Sequence, residues 1–345
     1  MAKILVTGGS GYIGSSTIVD LAQNGYEVIS IDNFSRGHEA LLQGIAGILG
    51  RPVKNYAIDL CNMEDTRAVF EEHPDIEGII HFAAYKSVPE SVERPIMYFR
   101  NNLDALLNIL QCAKEYDVKH FVFSSSCSVY GNAKELPVTE QTPFMPAESP
   151  YARTKQMGEN ICRDFTRANP GFKAILLRYF NPVGAHASSL IGEYNKRPEN
   201  LVPIITQTAI GKRESMTVFG SDYPTRDGSC IRDYIHVSDI AHAHTLAVAG
   251  SLAGQFSDNC EIFNLGTGQG VTVFELIKAF EQESGVKLNY KIGHRRPGDV
   301  IAIYANNEKA RQLLGWTPQY GVSEMMATAW KWEQHLDKCE KAHLN

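Results

Sequence analysis

Lys3-Ile4-Leu5-Val6-Thr7-Gly8-Gly9-Ser10-Gly11-Tyr12-Ile13-Gly14 opens the chain and decides its fold. An apolar run of strand length enters a glycine turn. The apolar period then becomes helical from Ile13 to Asn24, and Gly25 closes that helix. Gly8, Gly11 and Gly14 have the spacing G-x-x-G-x-x-G. Such a turn lets backbone approach a pyrophosphate, and the helix N-terminus adds unpaired N–H groups and partial positive charge. The glycines alone are a weak signal. Asp32, at the end of a second apolar run (Glu27 to Ile31), strengthens it. A carboxylate there accepts hydrogen bonds from ribose hydroxyls and repels a 2′-phosphate, which favours NAD over NADP. Arg36 is the nearby residue that argues the other way.

Working outward, short apolar runs alternate with helical patterns. Val53 to Ile58, Gly78 to Ala83, His120 to Ser125 and Lys173 to Leu177 read as strands. Met63–Glu72, Met97–Tyr116 and Tyr151–Thr166 read as helices. This alternation predicts an α/β, doubly wound parallel sheet (Rossmann fold). The pattern loosens after Asn181. The expected division is an NAD-binding Rossmann domain over 1–180 and a smaller, mainly substrate-binding domain over 181–345, part of which returns to the sheet. Gly266-Thr267-Gly268-Gln269-Gly270 imitates the first turn after a strand, Glu261 to Leu265. No acidic strand end follows at the right distance, and Thr272 with Glu275 has capping-box spacing, so it reads as structural.

A chain of 345 residues has room for about two domains. Its 43% hydrophobic and 21% charged residues argue against disorder, and its net charge of −6 against nucleic-acid binding. No apolar stretch is long enough to span a membrane. The start does not resemble a signal peptide, and seven cysteines without a CxxC pair read as reduced thiols in a cytoplasmic protein. No metal-ligand spacing occurs among the histidines.

Two further segments carry chemistry. Tyr151 and Lys155 stand four apart at the start of a helix, hence on one face. A free phenol is a poor base at neutral pH, but a neighbouring ammonium favours the phenolate. The pair is therefore expected to act as a general base towards a sugar hydroxyl. Ser124-Ser125-Ser126-Cys127-Ser128 ends a strand, where open α/β sheets bind ligands.

These segments, with His81-Phe82-Ala83-Ala84, Leu177 to Ala185, Phe219 to Thr225 and Arg232 to Val237, make the chain resemble the extended short-chain dehydrogenase/reductase superfamily. Within it the chain is similar to the UDP-glucose 4-epimerase family over about residues 3 to 335. The resemblance implies NAD-dependent inversion at sugar carbon 4: Tyr151 takes the hydroxyl proton, hydride passes to NAD⁺, and the 4-keto sugar turns over before hydride returns. It implies Gly8, Gly11, Tyr12, Ile13 and Gly14 at the cofactor turn, Asp32 and Asn33 on the adenosine ribose, and Asp59 and Leu60 on the adenine. Phe82, Ala83, Ala84, Lys86, Asn101, Ser124 and Tyr179 would line the rest of that site. Lys155 would hold the nicotinamide ribose, and Ser126 and Tyr151 would meet the 4-hydroxyl. Lys86, Asn181, Asn200, Leu201, Phe219, Arg232, Arg296, Asp299 and Ile303 would contact the UDP-sugar. It also implies a homodimer.

Nucleotide-sugar dehydratases and decarboxylases share the fold, but dehydratases add acidic groups beside the strand-end hydroxyl, where this chain has Cys127 and Ser128. A non-catalytic NAD sensor could lack the Tyr/Lys pair. Glucose/galactose-restricted epimerases commonly carry tyrosine at the position of Ile303. The smaller isoleucine predicts room for an N-acetyl group, and so UDP-N-acetylglucosamine and UDP-N-acetylgalactosamine as further substrates.

Overall fold

The computed structural model describes residues 1–195, 198–296 and 300–342. Six strands follow in order through the first half: β1 (Lys3–Thr7), β2 (Glu27–Ile31), β3 (Lys54–Tyr56), β4 (Ile76–His81), β5 (His120–Ser126) and β6 (Lys173–Tyr179). After β7 (Asn181–Val183), β8 (Met216–Phe219) and β9 (Ile231–His236), the strand β10 (Cys260–Leu265) rejoins them. The result is a seven-stranded sheet in the order β10-β6-β5-β4-β1-β2-β3. Every pairing in it is parallel. All five residues of β1 are buried, as a central strand covered on both faces requires.

Helices α1 (Tyr12–Gln23) and α2 (Glu39–Leu49) cover one face. Helices α3 (Met63–Glu72), α6 (Ala105–Glu115) and α7 (Pro150–Ala168) cover the other, with the short α4 (Val88–Glu93) and α5 (Pro95–Phe99) beside α7. Two cores result. Ile18, Leu41 and Ile45 belong to the first; Phe70, Ile109 and Cys162 belong to the second. The predicted fold class is observed.

The second half supplies α8 (Leu201–Ala209), α9 (Val237–Leu252), β11 (Gly270–Thr272), α10 (Val273–Ser284), β12 (Tyr290–Gly293), β13 (Ala302–Ile303) and α11 (Val322–Ala342). Helix α9 packs back on α1. Strand β9 pairs with β7, β11 and β13, and β12 with β8. The imitation glycine turn at Gly266–Gly270 is filled from within. Asp233 of β9 accepts hydrogen bonds from Thr267 N (2.8 Å), Thr267 Oγ1 (2.6 Å), Gly268 N (3.1 Å) and Ala305 N (3.0 Å). Its carboxylate takes the donors that an anion would use. The predicted capping box of Thr272 and Glu275 opens α10.

One predicted element differs. The single helix over 97–116 is instead α5, a π-helical turn over Arg100–Asp104, and α6. The reason is Asn102. Its amide oxygen accepts from Tyr85 N at 2.8 Å, and its Nδ2 donates to Tyr85 O at 3.1 Å and Thr154 Oγ1 at 3.0 Å. Widening the helix at this point lets those bonds form, a common use of π-turns beside functional sites.

Candidate active site

The strand order reverses at β1: the chain passes to β2 and β3, then returns across β1 to β4. Crevices at such reversals bind ligands beyond the carboxyl ends of the strands. Here a cleft of about 770 Å³ occupies that position. Its wall follows the strand ends in spatial order: Asp59 and Leu60 after β3, Asp32 and Asn33 after β2, and Gly8, Gly11, Tyr12, Ile13 and Gly14 after β1. Next come Phe82, Ala83, Ala84 and Lys86 after β4, Ser124 and Ser126 on β5, and Tyr179 on β6. Asn101 of the π-turn, Tyr151 and Lys155 of α7, Asn181 and Asn200 complete the predicted residues found on it.

The turn has the form a dinucleotide requires. Gly8 has φ +73°, and an added Cβ would lie 2.9 Å from Ala83 N. A Cβ on Gly14 would collide with the Gly8 carbonyl. Helix α1 has no side-chain cap on Gly11 and no acidic residue in its first turn. Its first N–H groups therefore keep their capacity and partial charge for an anion. The Ser10 hydroxyl, buried in the same turn, has no hydrogen-bond partner among the described residues. Asp32 accepts from Ser10 N at 3.0 Å and from Phe34 N at 2.9 Å, which fixes its carboxylate at the cleft edge. Arg36 is turned to Glu90, 2.5 Å away, with its guanidinium 5.0 Å from the Tyr85 ring centroid. The residue that argued for NADP is thus engaged with a carboxylate, and these residues fit NAD.

At the other end, helix α7 starts on Ser149, whose side chain accepts from Ala152 N, with Pro150 in its first turn. This start directs Tyr151 and Lys155 at the end of β5. Lys155 Nζ donates to the Ser124 carbonyl at 2.6 Å, and it lies 6.0 Å from the Tyr151 ring centroid. The hydrogen bond of Lys155 is thus to the strand end. Burial raises the phenol pKa above its ordinary range, Tyr179 adds to the rise, and the Ser126 hydroxyl beside it pulls the other way. Burial also lowers the Lys155 pKa to about 8. Ser124 Oγ and Tyr179 OH share a hydrogen bond of 2.5 Å.

Five predicted substrate residues stand off this cleft wall. Leu201 begins α8, directly after Asn200. Phe219 ends β8, 45% exposed, with the Arg296 guanidinium 5.6 Å from its ring centroid. Arg232 on β9 lies in register with Ile303 on β13. Ile303 is buried in a cluster with Val129, Tyr130 and Phe180, so it sits behind the wall and not on it. Asp299 lies outside the described residues.

Glu193 was not anticipated. It lines the cleft, and its Oε1 receives Lys86 Nζ at 3.2 Å and Asn200 Nδ2 at 2.9 Å, joining the two halves of the chain. It stands in the irregular stretch after Asn181, where no spacing singles it out. Tyr12 makes a second such link, donating from its hydroxyl to the Gly184 carbonyl at 2.6 Å.

Two outcomes follow from this geometry. Asp32→Ala removes the carboxylate that accepts from Ser10 N and Phe34 N at the cleft edge, so cofactor retained through gel filtration should fall at least tenfold; undiminished retention would mean that Asp32 does not hold the cofactor. Lys155 provides a pH signature in cofactor-free protein. Its pKa falls from 10.5 unfolded to about 8 folded. Between those values the unfolded chain binds the extra proton, so this group makes stability rise with pH across that window and lowers it below. Lys155→Met should flatten the rise in urea midpoint between pH 8 and 10; an unchanged slope would mean the ammonium is solvated.

Residues 4–266 match the NAD dependent epimerase/dehydratase family. The UDP-glucose 4-epimerase of Bacillus subtilis (strain 168) is 45% identical over 331 residues, 96% of this chain and 96% of that one. The UDP-glucose-4-epimerase of Stenotrophomonas maltophila, solved with bound NAD and formylated UDP-arabinopyranose, has a TM-score of 0.95 at 39% identity, covering 98% of this chain and all of that one. The Bifidobacterium longum UDP-glucose 4-epimerase, in complex with NAD+ and UDP, gives 0.91 at 42% identity, with 97% and 98% covered. Agreement of sequence and fold along nearly the full length means that the chain belongs to the NAD dependent epimerase/dehydratase family and, within it, groups with the UDP-glucose 4-epimerases.

Proposed function

We propose that this protein interconverts UDP-sugars that differ in configuration at carbon 4. The observation that carries this reading is the meeting of the Asp32 and glycine-turn end with Ser126, Tyr151 and Lys155 in one continuous cleft. The chemistry that NAD supplies when bound there is reversible hydride exchange with the sugar carbon. Tyr151 receives the 4-hydroxyl proton as general base, and Ser126 holds the same oxygen. Burial raises the phenol pKa of Tyr151, so its service as base would draw on the positive charge that the oxidised cofactor brings into the cleft. Lys155, held on the Ser124 carbonyl, would hold the nicotinamide ribose.

In this reading residues 1–180 hold the cofactor. Residues from 181 onward hold the UDP-sugar, apart from β10 and α9, which pack back on the sheet. Asn181, Asn200, Leu201, Phe219, Arg232, Arg296 and Asp299 anchor UDP, since guanidinium forks match a diphosphate. A sugar anchored through UDP alone can present either face to one hydride carrier. The wall beside Ser126 favours this over elimination, because Cys127 and Ser128 stand where a dehydratase needs acids and burial holds the Cys127 thiol pKa near 12. Ile303 lies behind the wall, and in this reading the longer tyrosine would reach past it to the sugar end, which isoleucine leaves open to an N-acetyl group.

The partner in this reading is a second copy of the chain. Val88 and Val92 on α4, Ile96 on α5, Leu107 on α6 and Met157 on α7 are 37–66% exposed on neighbouring helices. A paired apolar helix face is a usual basis for such a dimer.

The test is to incubate purified protein with UDP-galactose, and separately with UDP-N-acetylgalactosamine, without added cofactor. The 4-epimers should appear in both; no turnover of either rejects the function, and loss of the second alone rejects the wider specificity. Tyr151→Phe should lower kcat by roughly 10²–10⁴-fold with NAD and UDP binding kept; near-normal turnover removes it as base. Sedimentation should give twice the chain mass, and a monomer at micromolar concentration rejects the dimer.

A further inference from the structure

A fully buried ion pair lies behind the catalytic strand, and the mechanism above makes no use of it. Glu159 on α7 and Arg178 on β6 have side chains 0% and 1% exposed. Arg178 Nε donates to Glu159 Oε1 at 2.8 Å and Nη2 to Oε2 at 2.7 Å. Burying two charges is costly, and apolar residues of similar shape often serve stability as well or better. Stability alone therefore does not account for the pair.

Its position points to a purpose. Along β5 alternate residues face opposite sides, so Ser125 points away from its neighbours Ser124 and Ser126. Ser125 Oγ donates to Glu159 Oε1 at 2.5 Å. Along α7, residues 151, 155 and 159 follow at intervals of four. Tyr151 lines the cleft with Ser126, Lys155 meets the Ser124 carbonyl, and Glu159 the Ser125 hydroxyl. Successive helical turns thus engage the last three residues of the strand. The first two contacts belong to groups that have to move or hold protons. The third joins groups fixed by a bidentate guanidinium.

We propose that Glu159, clamped by Arg178, is a positioning residue that sets the register of α7 on β5 through Ser125, and so the placement of Tyr151 and Lys155 against Ser126 and Ser124. The far side of Arg178 is anchored separately. Its Nη1 donates to Tyr130 OH at 2.9 Å, and that hydroxyl donates to Asn264 Oδ1 at 2.5 Å. Tyr130 therefore joins the network through Arg178 and Asn264, and it serves as the control. The charge of Glu159 also favours the ammonium of Lys155, opposing the effect of burial.

The proposal rests on the epimerase reading for its kinetic arm only. Ser125→Ala should lower kcat for UDP-galactose by about tenfold to a hundredfold, the scale of a misplaced reacting group. KM and NAD content should stay within about twofold. Ser125→Cys, nearly the same size and a weak donor, should do the same and stands in if the alanine variant does not fold. Tyr130→Phe, matched for loss of thermal midpoint, should keep kcat within about twofold. A second arm needs no substrate: acetylation of Lys155 by acetic anhydride, followed by mass spectrometry, should be several-fold faster in the Ser125 variants and unchanged in Tyr130→Phe. Unchanged kcat and labelling in the Ser125 variants, or equal losses in Tyr130→Phe at equal stability, overturn the positioning role. A wild-type protein inactive on both UDP-sugars sinks the functional reading instead, and the labelling arm still decides this one.

Discussion

The chain must cross back over β1 after laying down β3, and that reversal creates the only kind of opening a doubly wound sheet offers at its carboxyl edge. Everything chemical in the molecule is placed by it. Loops leaving neighbouring strands in opposite directions cannot pack against one another, so a trough is left along six strand ends. A glycine turn and an uncapped helix stand at its middle, a fixed carboxylate on one side, and a tyrosine and a lysine on the other. The second half of the chain adds its own residues to the same trough from above, through Asn181, Glu193 and Asn200.

Within the trough, burial acts in opposite directions on the two groups that matter most. It raises the phenol pKa of Tyr151 and lowers the ammonium pKa of Lys155, favouring the neutral form of each. Both groups therefore respond strongly to charge carried in by a ligand. The low dielectric that opposes ionisation also strengthens whatever electrostatic contact is then made.

Much of this was legible in the sequence, for definite reasons. Buried parallel strands are continuous apolar runs, and β1 and β2 were read to the residue. Most residues expected on the cofactor side lie at or just beyond a strand end, where a strand reading alone places them; Asn101 and Lys155, on helical segments, are exceptions. Three things were hidden. The π-turn at Arg100–Asp104 was hidden because Asn102 widens the helix through tertiary bonds to Tyr85 and Thr154, which leave no trace in local periodicity. Helix α2 was hidden because Gly44 and Gly47 weaken its pattern; Gly44 is needed where the helix passes close to the Leu190 carbonyl. The partner of Lys155 was hidden because helical spacing places two side chains on one face without saying which of them bonds the other. The burial of Ile303 in a cluster with Phe180 depends on packing and leaves no trace in spacing.

Asp233 deserves a last consideration for what it does to motion. With four donors on one carboxylate, it fastens strand β9 both to the turn leaving β10 and to Ala305 just beyond β13. Strand β10 is the edge of the seven-stranded sheet, and Arg232 is the residue before Asp233. Any tug on that arginine is thereby handed to the outermost ribbon of the other half. The molecule's two halves are geared together at a point remote from the chemistry, by a would-be nucleotide cradle that has swallowed its own anion.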